Sequence, residues 1–270
     1  MRAVRHIVGV VLFAVLLFGL LGPFLPLGST TAVQGAPFAS ASVAHPLGTD
    51  FLGRDTLARV AAGGQTLILQ ALAATAAVSV VGILLGAATG MAAGRRAAVP
   101  LRVLDGLSAL PPLFVLVLLA SGSPGDDLLV VAAIATVTTP FSVRVIREAT
   151  HQIRDTAFAR TAWARGDGVL HRLRHDVLPG IAEAVWADAG VRFVAAVQLA
   201  ATAGFLGLTA GAPTANWGRM VRENLVGATI NPLPVLVPSI LIIALALGFT
   251  LLTDRLSART GADISGAAVV

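Results

Sequence analysis

The chain contains 270 residues, of which 56% are hydrophobic and 12% are charged, and its formal net charge is +5. Soluble domains carry about 25% charged residues, so this composition excludes an ordinary soluble enzyme and a disordered protein. All nineteen basic side chains are arginine, which excludes a phosphate-binding P-loop because that motif needs a lysine. The sequence has no cysteine, which excludes disulfides and thiolate metal sites. We therefore predict an integral membrane protein.

Apolar stretches predict six transmembrane helices, since one crossing needs about 20 apolar residues. The predicted helices occupy residues 7–25, 65–92, 103–120, 128–146, 187–208 and 233–252. The first is longer than the apolar region of a signal peptide and is predicted to be an uncleaved anchor. The fourth has sixteen charge-free residues interrupted by Pro140, and it spans the bilayer only if the helix continues past Arg144.

The arginines predict the orientation of these helices, because cytoplasmic loops are enriched in basic residues. Fifteen of the nineteen lie on the same side as the N-terminus, whereas Arg54, Arg59, Arg219 and Arg222 lie on the other side. We predict that both termini are cytoplasmic and that the high pI reflects this topology, with no nucleic-acid partner. The predicted parts are an N-terminal transmembrane helix (1–25), an extracytoplasmic segment (26–64), a core domain of five transmembrane helices (65–255) and a cytoplasmic tail (256–270).

A long cytoplasmic loop is predicted within the core domain, at residues 147–184. Its sequence indicates two short amphipathic helices, one from Asp155 to Gly166 and a second from Gly168 to Leu178 that Pro179 is predicted to end. Such a hairpin must cover its apolar face. Lipid headgroups and a soluble partner chain both meet this requirement.

This loop resembles the signature loop of ABC-importer permeases. The resemblance rests on Arg160-Thr161-Ala162, on Gly166, and on the Leu-Pro pair that ends thirteen residues after that glycine. Arg160 stands where the family has a glutamate, which reverses the charge. Four further segments resemble the C-type subunits of the dipeptide, oligopeptide and nickel permeases, namely residues 45–55, 107–112, 205–208 and 213–218.

The resemblance implies a type I ABC-importer permease fold, all-α with six transmembrane helices, in the bacterial inner membrane. It implies a transport subunit that is not itself an enzyme and that forms half of a pore for peptides, with nickel or a metal chelate as the alternative substrate. Implied partners are a second homologous permease, one or two ABC ATPases and an extracytoplasmic substrate-binding lipoprotein. The ATPases would bind ATP and Mg²⁺, so this chain is expected to hold no cofactor or metal.

Two sets of residues receive roles from this resemblance. The residues implied to couple the chain to the ATPase are Phe158, Arg160, Thr161, Ala162, Trp163, Gly166, Leu178 and Pro179. The extracytoplasmic family motif comprises His45, Gly48, Asp50, Gly53, Arg54, Asp55 and Trp217. Two interpretations of this motif stay open: it is a capped turn that leads into the second helix, or it is a contact surface for a partner. Trp217 is alternatively an anchor at the membrane interface.

Polar residues inside the predicted spans are candidates for the translocation path. They are Thr136, Thr139, Gln198 and Thr202. Such groups equally often form hydrogen bonds between helices. Glycines at positions 82, 86 and 90 are spaced by four and predict close helix packing.

A secondary transporter or channel is the main alternative of a different class. Such proteins usually need ionisable groups deep in the bilayer. The predicted spans place their charged neighbours at helix ends, namely Asp105, Glu148, Asp188, Arg192 and Asp254. An intramembrane hydrolase is a weaker alternative, because no catalytic dyad is evident. His171 and His175 are spaced by four but lack the glutamate of a zinc-protease motif, so they indicate a solvated helix face.

Overall fold

The computed structural model describes residues 2–92, 95–154, 168, 171, 173–211 and 214–267. Within these ranges the chain forms eight α-helices, which we number in chain order. They are α1 (Arg2–Leu21), α2 (Thr56–Met91), α3 (Arg95–Ser108), α4 (Pro112–Ala120), α5 (Asp127–Arg154), α6 (Leu178–Leu206), α7 (Trp217–Asn224) and α8 (Leu233–Ala267). Short 3₁₀ turns cover Gly22–Phe24 and Leu225–Gly227, and a π-helical turn covers Leu173–Val177.

Four of the described helices are long and apolar enough to cross a membrane: α2, α5, α6 and the first part of α8 (Leu233–Thr253). The pair α3–α4 would supply a fifth crossing if the bent pair counts as one span. The apolar part of the first helix, Gly9–Phe24, is shorter. The predicted all-α membrane class is confirmed.

The predicted third helix, residues 103–120, is broken into two. α3 and α4 meet at an angle of 89°. Two consecutive prolines cause the break: Pro111 has the extended ψ of 127°, and Pro112 occupies the first position of α4, where its missing N–H costs no helical bond. The prediction of one continuous helix here was therefore wrong.

The fourth predicted helix does continue past Arg144, as its short apolar stretch required. α5 extends from Asp127 to Arg154 and includes Pro140 in its interior. Both α5 and α2 are longer than the apolar stretches alone indicated. α2 begins at Thr56, nine residues before the predicted start, because the side chain of Asp55 accepts a hydrogen bond from Ala58 N (2.8 Å) and caps the helix.

α6 also begins nine residues before its predicted start. Pro179 lies in its first turn and does not end a preceding helix, which corrects the prediction for this proline. Proline is tolerated there because the first N–H groups of a helix have no partner in the helix. At the other end Gly207 adopts the left-handed conformation (φ 79°) that terminates α6.

α2 and α5 pack closely through glycines. A Cβ atom built on Gly82 would lie 2.3 Å from Ser142 Oγ, and one on Gly86 would lie 2.7 Å from Ile146 Cβ. On the next turn, a Cβ atom on Gly90 would lie 2.6 Å from Thr150 Cβ. The glycine spacing of four therefore brings the backbones together, and the predicted packing role is confirmed.

The main core lies between α2, α5 and α6, and α1, α7 and α8 complete it. Its fully buried side chains include Leu67, Ile134, Val197, Trp217 and Leu245. A second, smaller cluster lies where α5 and α6 approach the loop between them, and it contains Ile146, Val177 and Ile181. This smaller cluster attaches the base of the loop to the helices.

Candidate functional site

Asp50 is the centre of a buried charge network in the segment before α2. Its Oδ1 atom accepts hydrogen bonds from Leu52 N and Arg54 N, both at 2.9 Å. Its Oδ2 atom accepts from Arg54 Nε (2.8 Å) and from the guanidinium of Arg59. The carboxylate is fully buried, and a buried charge is tolerated only when it is paired in this way.

Two glycines of the same motif have positive φ angles and close backbone contacts. Gly48 has φ 71° and Gly53 has φ 76°. A Cβ atom would lie 2.2 Å from Ala39 O at the first position and 2.1 Å from Gly35 O at the second. Both positions therefore require glycine, and both allow the segment to fold back so that the carboxylate of Asp50 reaches the arginines.

His45 and Asp55, at the two ends of the segment 45–55, contact each other. His45 Nδ1 lies 2.7 Å from Asp55 Oδ2, while the other carboxylate oxygen caps α2 through Ala58 N. The structure thus contains the capped turn that one of the two interpretations predicted. The other interpretation, a contact with a partner chain, stays a prediction.

The network continues to α7, which is more than 150 residues away in sequence. Glu223 accepts hydrogen bonds from Arg59 Nη2 (3.1 Å) and from Arg219 Nε (2.8 Å). Nearby, Phe51 N donates to Asn224 Oδ1 at 2.9 Å. We call the group formed by residues 45–59 and α7 the polar cap. The predicted motif did not include Arg59, Glu223 or Asn224; the available signal was the i,i+4 spacing of Arg219 and Glu223.

Trp217, the first residue of α7, is fully buried beside the polar cap. Its indole Nε1 donates to Val60 O at 2.6 Å. Its ring covers Gly64, where a Cβ atom would lie 2.5 Å from the ring, and it approaches Gly19 of α1. This burial contradicts the alternative interpretation of Trp217 as an anchor at the membrane interface.

A second buried polar cluster lies in the middle of α5 and α6. Ser142 Oγ donates to Asp188 Oδ2 (2.5 Å), and Arg192 Nε donates to Asp188 Oδ1 (3.1 Å). The guanidinium carbon of Arg192 lies 5.8 Å from the centre of the Phe141 ring. The side chain of Asp188 is 3% exposed and that of Arg192 is 14% exposed. The cluster therefore combines a buried carboxylate, held by two hydrogen bonds, with a cation that is partly exposed.

This cluster corrects the placement of Asp188 and Arg192 at a helix end. The error followed from the predicted start of α6, because a helix that began at residue 187 would have placed this carboxylate in its first turn. With α6 beginning at Leu178, Asp188 lies ten residues inside the helix.

The four candidates for the translocation path lie on two helices. Thr136 and Thr139 of α5 and Thr202 of α6 each donate a hydrogen bond to the carbonyl four residues earlier, at 2.7–2.8 Å. Gln198 is exposed. Thr202 lines a cavity of about 290 Å³ between α6, α7 and α8, and the lining of that cavity includes none of the other three. Their role in transport stays a prediction.

Comparison with known proteins shows the family. Residues 82–262, about two thirds of the chain, match the family described as binding-protein-dependent transport system inner membrane component. The chain belongs to this family. It is a permease, a multi-pass protein of the inner membrane, and such a system implies partner chains that bind the substrate and hydrolyse ATP.

Curated relatives agree with this family. The permease is 32% identical to a probable D,D-dipeptide transport system permease protein of Escherichia coli (strain K12), over 79% of this chain and 72% of that protein. It is 31% identical to a putative peptide permease protein of Brucella suis, over 83% and 73% of the two chains. It is 33% identical to a di/tripeptide transport system permease protein of Pseudomonas aeruginosa, over 66% of this chain and 58% of that protein.

The predicted ATPase-coupling residues of the permease lie mostly outside the described residues. These are Phe158, Arg160, Thr161, Ala162, Trp163 and Gly166. Leu178 and Pro179 are described and form the first turn of α6, where Leu178 packs on the smaller core cluster. Within the described ranges, no three His, Asp or Glu side chains converge as metal ligands would.

Proposed function

We propose that this permease forms half of the translocation path of an importer for peptides. The observation that carries the proposal is the set of relatives, since those reported above are named for peptides or dipeptides and align with most of this chain. Short peptides carry charged termini and a polar backbone. A permease for them needs polar contacts between apolar helices, and the cluster at Asp188 and Arg192 is such a place.

The proposed topology has six crossings with both termini in the cytoplasm. Four helices and the bent pair α3–α4 account for five crossings, and α1 would be the sixth. Without Arg192, which lies inside α6, fourteen of the remaining eighteen arginines are on the predicted cytoplasmic side and support the orientation. In this topology the polar cap lies outside the cell membrane, and the loop between α5 and α6 lies in the cytoplasm.

In the proposed assembly a second homologous permease completes the pore, and each permease places its loop against an ABC ATPase. Phe158 and Trp163 would be the buried anchors in this chain, because aromatic side chains dominate such contacts. ATP and Mg²⁺ would be bound by the ATPases. Movement of the loop would reach the membrane through α5 and α6, which flank it and share the bond between Ser142 and Asp188.

The polar cap is proposed to receive the substrate-binding protein. Its buried ion pairs and its two positive-φ glycines give a shape that the described chain holds through several independent contacts. A fixed outer surface suits a partner that must dock in one orientation. Thr136, Thr139, Gln198 and Thr202 are proposed to line the path behind it.

Reconstitution of the complete transporter tests the proposal. The permease would be purified with its second permease, ATPases and binding protein, and inserted into liposomes that contain ATP. We expect dipeptides to stimulate ATP hydrolysis and to accumulate only when the binding protein is present. Stimulation by nickel salts or chelates but not by peptides would contradict the peptide assignment. Solute movement by this chain alone down an ion gradient would contradict the ATP-driven mechanism.

A further inference from the structure

Arg192 lies at the centre of α6 and five residues inside the predicted apolar span 187–208, where a charged residue is unusual. It is fourteen residues from each end of the helix, which is about 21 Å in either direction. Ionisable side chains inside membrane helices are costly, and they face the interior of a bundle or a water-filled cavity. The position of Arg192 therefore indicates a polar environment beside α5 and α6.

The guanidinium of Arg192 is held by one edge only. Its Nε atom donates to Asp188 Oδ1 at 3.1 Å, and the other oxygen of Asp188 accepts from Ser142. Because both carboxylate oxygens are engaged and Asp188 is almost completely buried, this contact fixes the orientation of the arginine. A Cβ atom on Gly82 would collide with Ser142 Oγ, so α2 also restrains the cluster.

The other edge of the guanidinium is free. Among the described residues, neither terminal amino group of Arg192 donates to a protein atom, and neither is enclosed. Two parallel N–H groups on the outer edge of an arginine match the two oxygens of a carboxylate. The guanidinium lies over the ring of Phe141, with the ring centre 5.8 Å from the guanidinium carbon, and the ring provides an apolar surface next to the charge.

Arg144 lies on α5, two residues from Ser142, but it is less suited to bind a carboxylate. Its Nη2 atom already donates to Asp105 Oδ1 (2.6 Å) and to Ser108 (3.3 Å), and its side chain is 46% exposed. An exposed arginine is well hydrated and discriminates weakly between anions. Arg192 combines partial burial with a fixed orientation.

We propose that Arg192 binds the terminal carboxylate of the peptide during its passage, with Asp188 as the positioning residue and Phe141 as the adjacent apolar contact. This inference rests on the proposed peptide transport and adds a residue and a chemical group to it. Asp188 has two effects: it orients the guanidinium, and its negative charge weakens the attraction for a second carboxylate. The site would therefore hold a peptide weakly enough to release it.

Binding to the complete transporter without its binding protein tests the inference. The probes are dialanine and dialanine amide, which differ in the terminal carboxylate, and binding is measured by calorimetry and by the shift in unfolding midpoint. We expect wild-type protein to bind dialanine at least about tenfold more tightly than the amide. Arg192→Gln should remove this preference. Arg102→Gln, which changes an exposed arginine on α3, should keep it.

Asp188→Asn distinguishes binding from a purely structural ion pair. Asparagine still accepts a hydrogen bond from Arg192 but removes the competing charge, so the affinity for dialanine should rise severalfold. A structural pair predicts no such gain. The inference is wrong if Arg192→Gln keeps the preference for dialanine, if Asp188→Asn binds no tighter, or if the wild type does not distinguish the two probes.

Peptide-stimulated ATP hydrolysis in the presence of the binding protein separates this inference from the proposed function. If peptides stimulate the wild type and the Arg192→Gln variant keeps its preference for dialanine, only the assignment of Arg192 fails. If no peptide stimulates hydrolysis and neither probe binds, the peptide function fails as well.

Discussion

Ser142 on α5 donates a hydrogen bond of 2.5 Å to the buried carboxylate of Asp188 on α6, and this bond joins the two helices that flank the loop predicted to contact the ATPase. The remaining oxygen of Asp188 is bound by Arg192. Replacement of the serine would leave a buried carboxylate oxygen without a donor.

Ser142→Ala should lower the free energy of unfolding by about 1–3 kcal/mol, because the lost donor leaves a desolvated acceptor. The measurement is the unfolding midpoint of the purified protein in detergent. Ser239→Ala is the matched control, since Ser239 Oγ donates only within its own helix, to Val235 O. Equal effects of the two substitutions would contradict the importance of the Asp188 contact.

Gly86→Ala should separate α2 from α5. The new Cβ atom would lie 2.7 Å from Ile146 Cβ and 3.0 Å from Val143 O, so the backbones must move apart. Overpacking of this kind costs about 1–3 kcal/mol, which exceeds the gain of about 1 kcal/mol in helix propensity. Gly106→Ala in α3 is the control, because a Cβ atom there has no neighbour within 4 Å. A lower midpoint for the control than for Gly86→Ala would contradict the prediction.

Asp50→Asn should disrupt the polar cap, because the guanidinium groups of Arg54 and Arg59 lose the charge that pairs with both. Removal of one partner of a buried ion pair costs about 3–5 kcal/mol. We expect a large drop in the amount of folded protein in the membrane, measured by fluorescence-detected chromatography. Asp126→Asn is the control, since Asp126 is an exposed helix cap and asparagine caps a helix equally well. Normal yield of Asp50→Asn would refute the role of the network.

Trp217→Phe should destabilise the contact between α7 and α2. It removes the hydrogen bond to Val60 O and part of the ring that covers Gly64. The lost bond alone is worth about 0.5–1.5 kcal/mol, because the carbonyl of Val60 lies inside α2 and keeps its helical hydrogen bond. Trp186→Phe serves as the control because Trp186 is 75% exposed. Thermal unfolding of both variants checks the prediction, which fails if Trp186→Phe has the larger effect.

Gly166→Leu tests the proposed coupling loop. A bulky side chain at the centre of the ATPase contact should uncouple transport, and peptide-stimulated ATP hydrolysis should fall to the basal rate. Gly106→Leu in α3 is the control, since Gly106 lies outside the loop, is exposed and has no neighbour within 4 Å of a Cβ atom. Full transport by Gly166→Leu would mean that this part of the loop does not dock on the ATPase.

The sequence predicted the positions of the long helices better than it predicted the residues at which they begin. Apolar stretches located the four described helices that are long and apolar enough to cross a membrane, but they placed the starts of α2 and α6 nine residues late. In α2 the missing turns contain a charged residue that pairing makes acceptable, and in α6 they contain Glu183, which is exposed. The charged residue in α2, Arg59, is 3% exposed because Asp50 and Glu223 neutralise it.

The motif before α2 was only partly predictable. The positions of Gly48, Asp50 and Arg54 followed from a resemblance, and their contacts with one another are local. Glu223 joins them from 164 residues beyond Arg59, and no pattern within the segment could indicate that partner.

Composition and the order of residues determined by themselves that this is a membrane protein, that its helices pack through glycines, and that it resembles the importer permeases. These properties depend on the amount of apolar sequence and on short spacings, which are local. Only the tertiary structure decided that Trp217 is buried, that α3 and α4 form a bent pair, and that Asp188 and Arg192 share a cluster in the middle of α6. Burial and ion pairing depend on which distant segments meet, because the cost of a charge or a polar group is set by its surroundings in space.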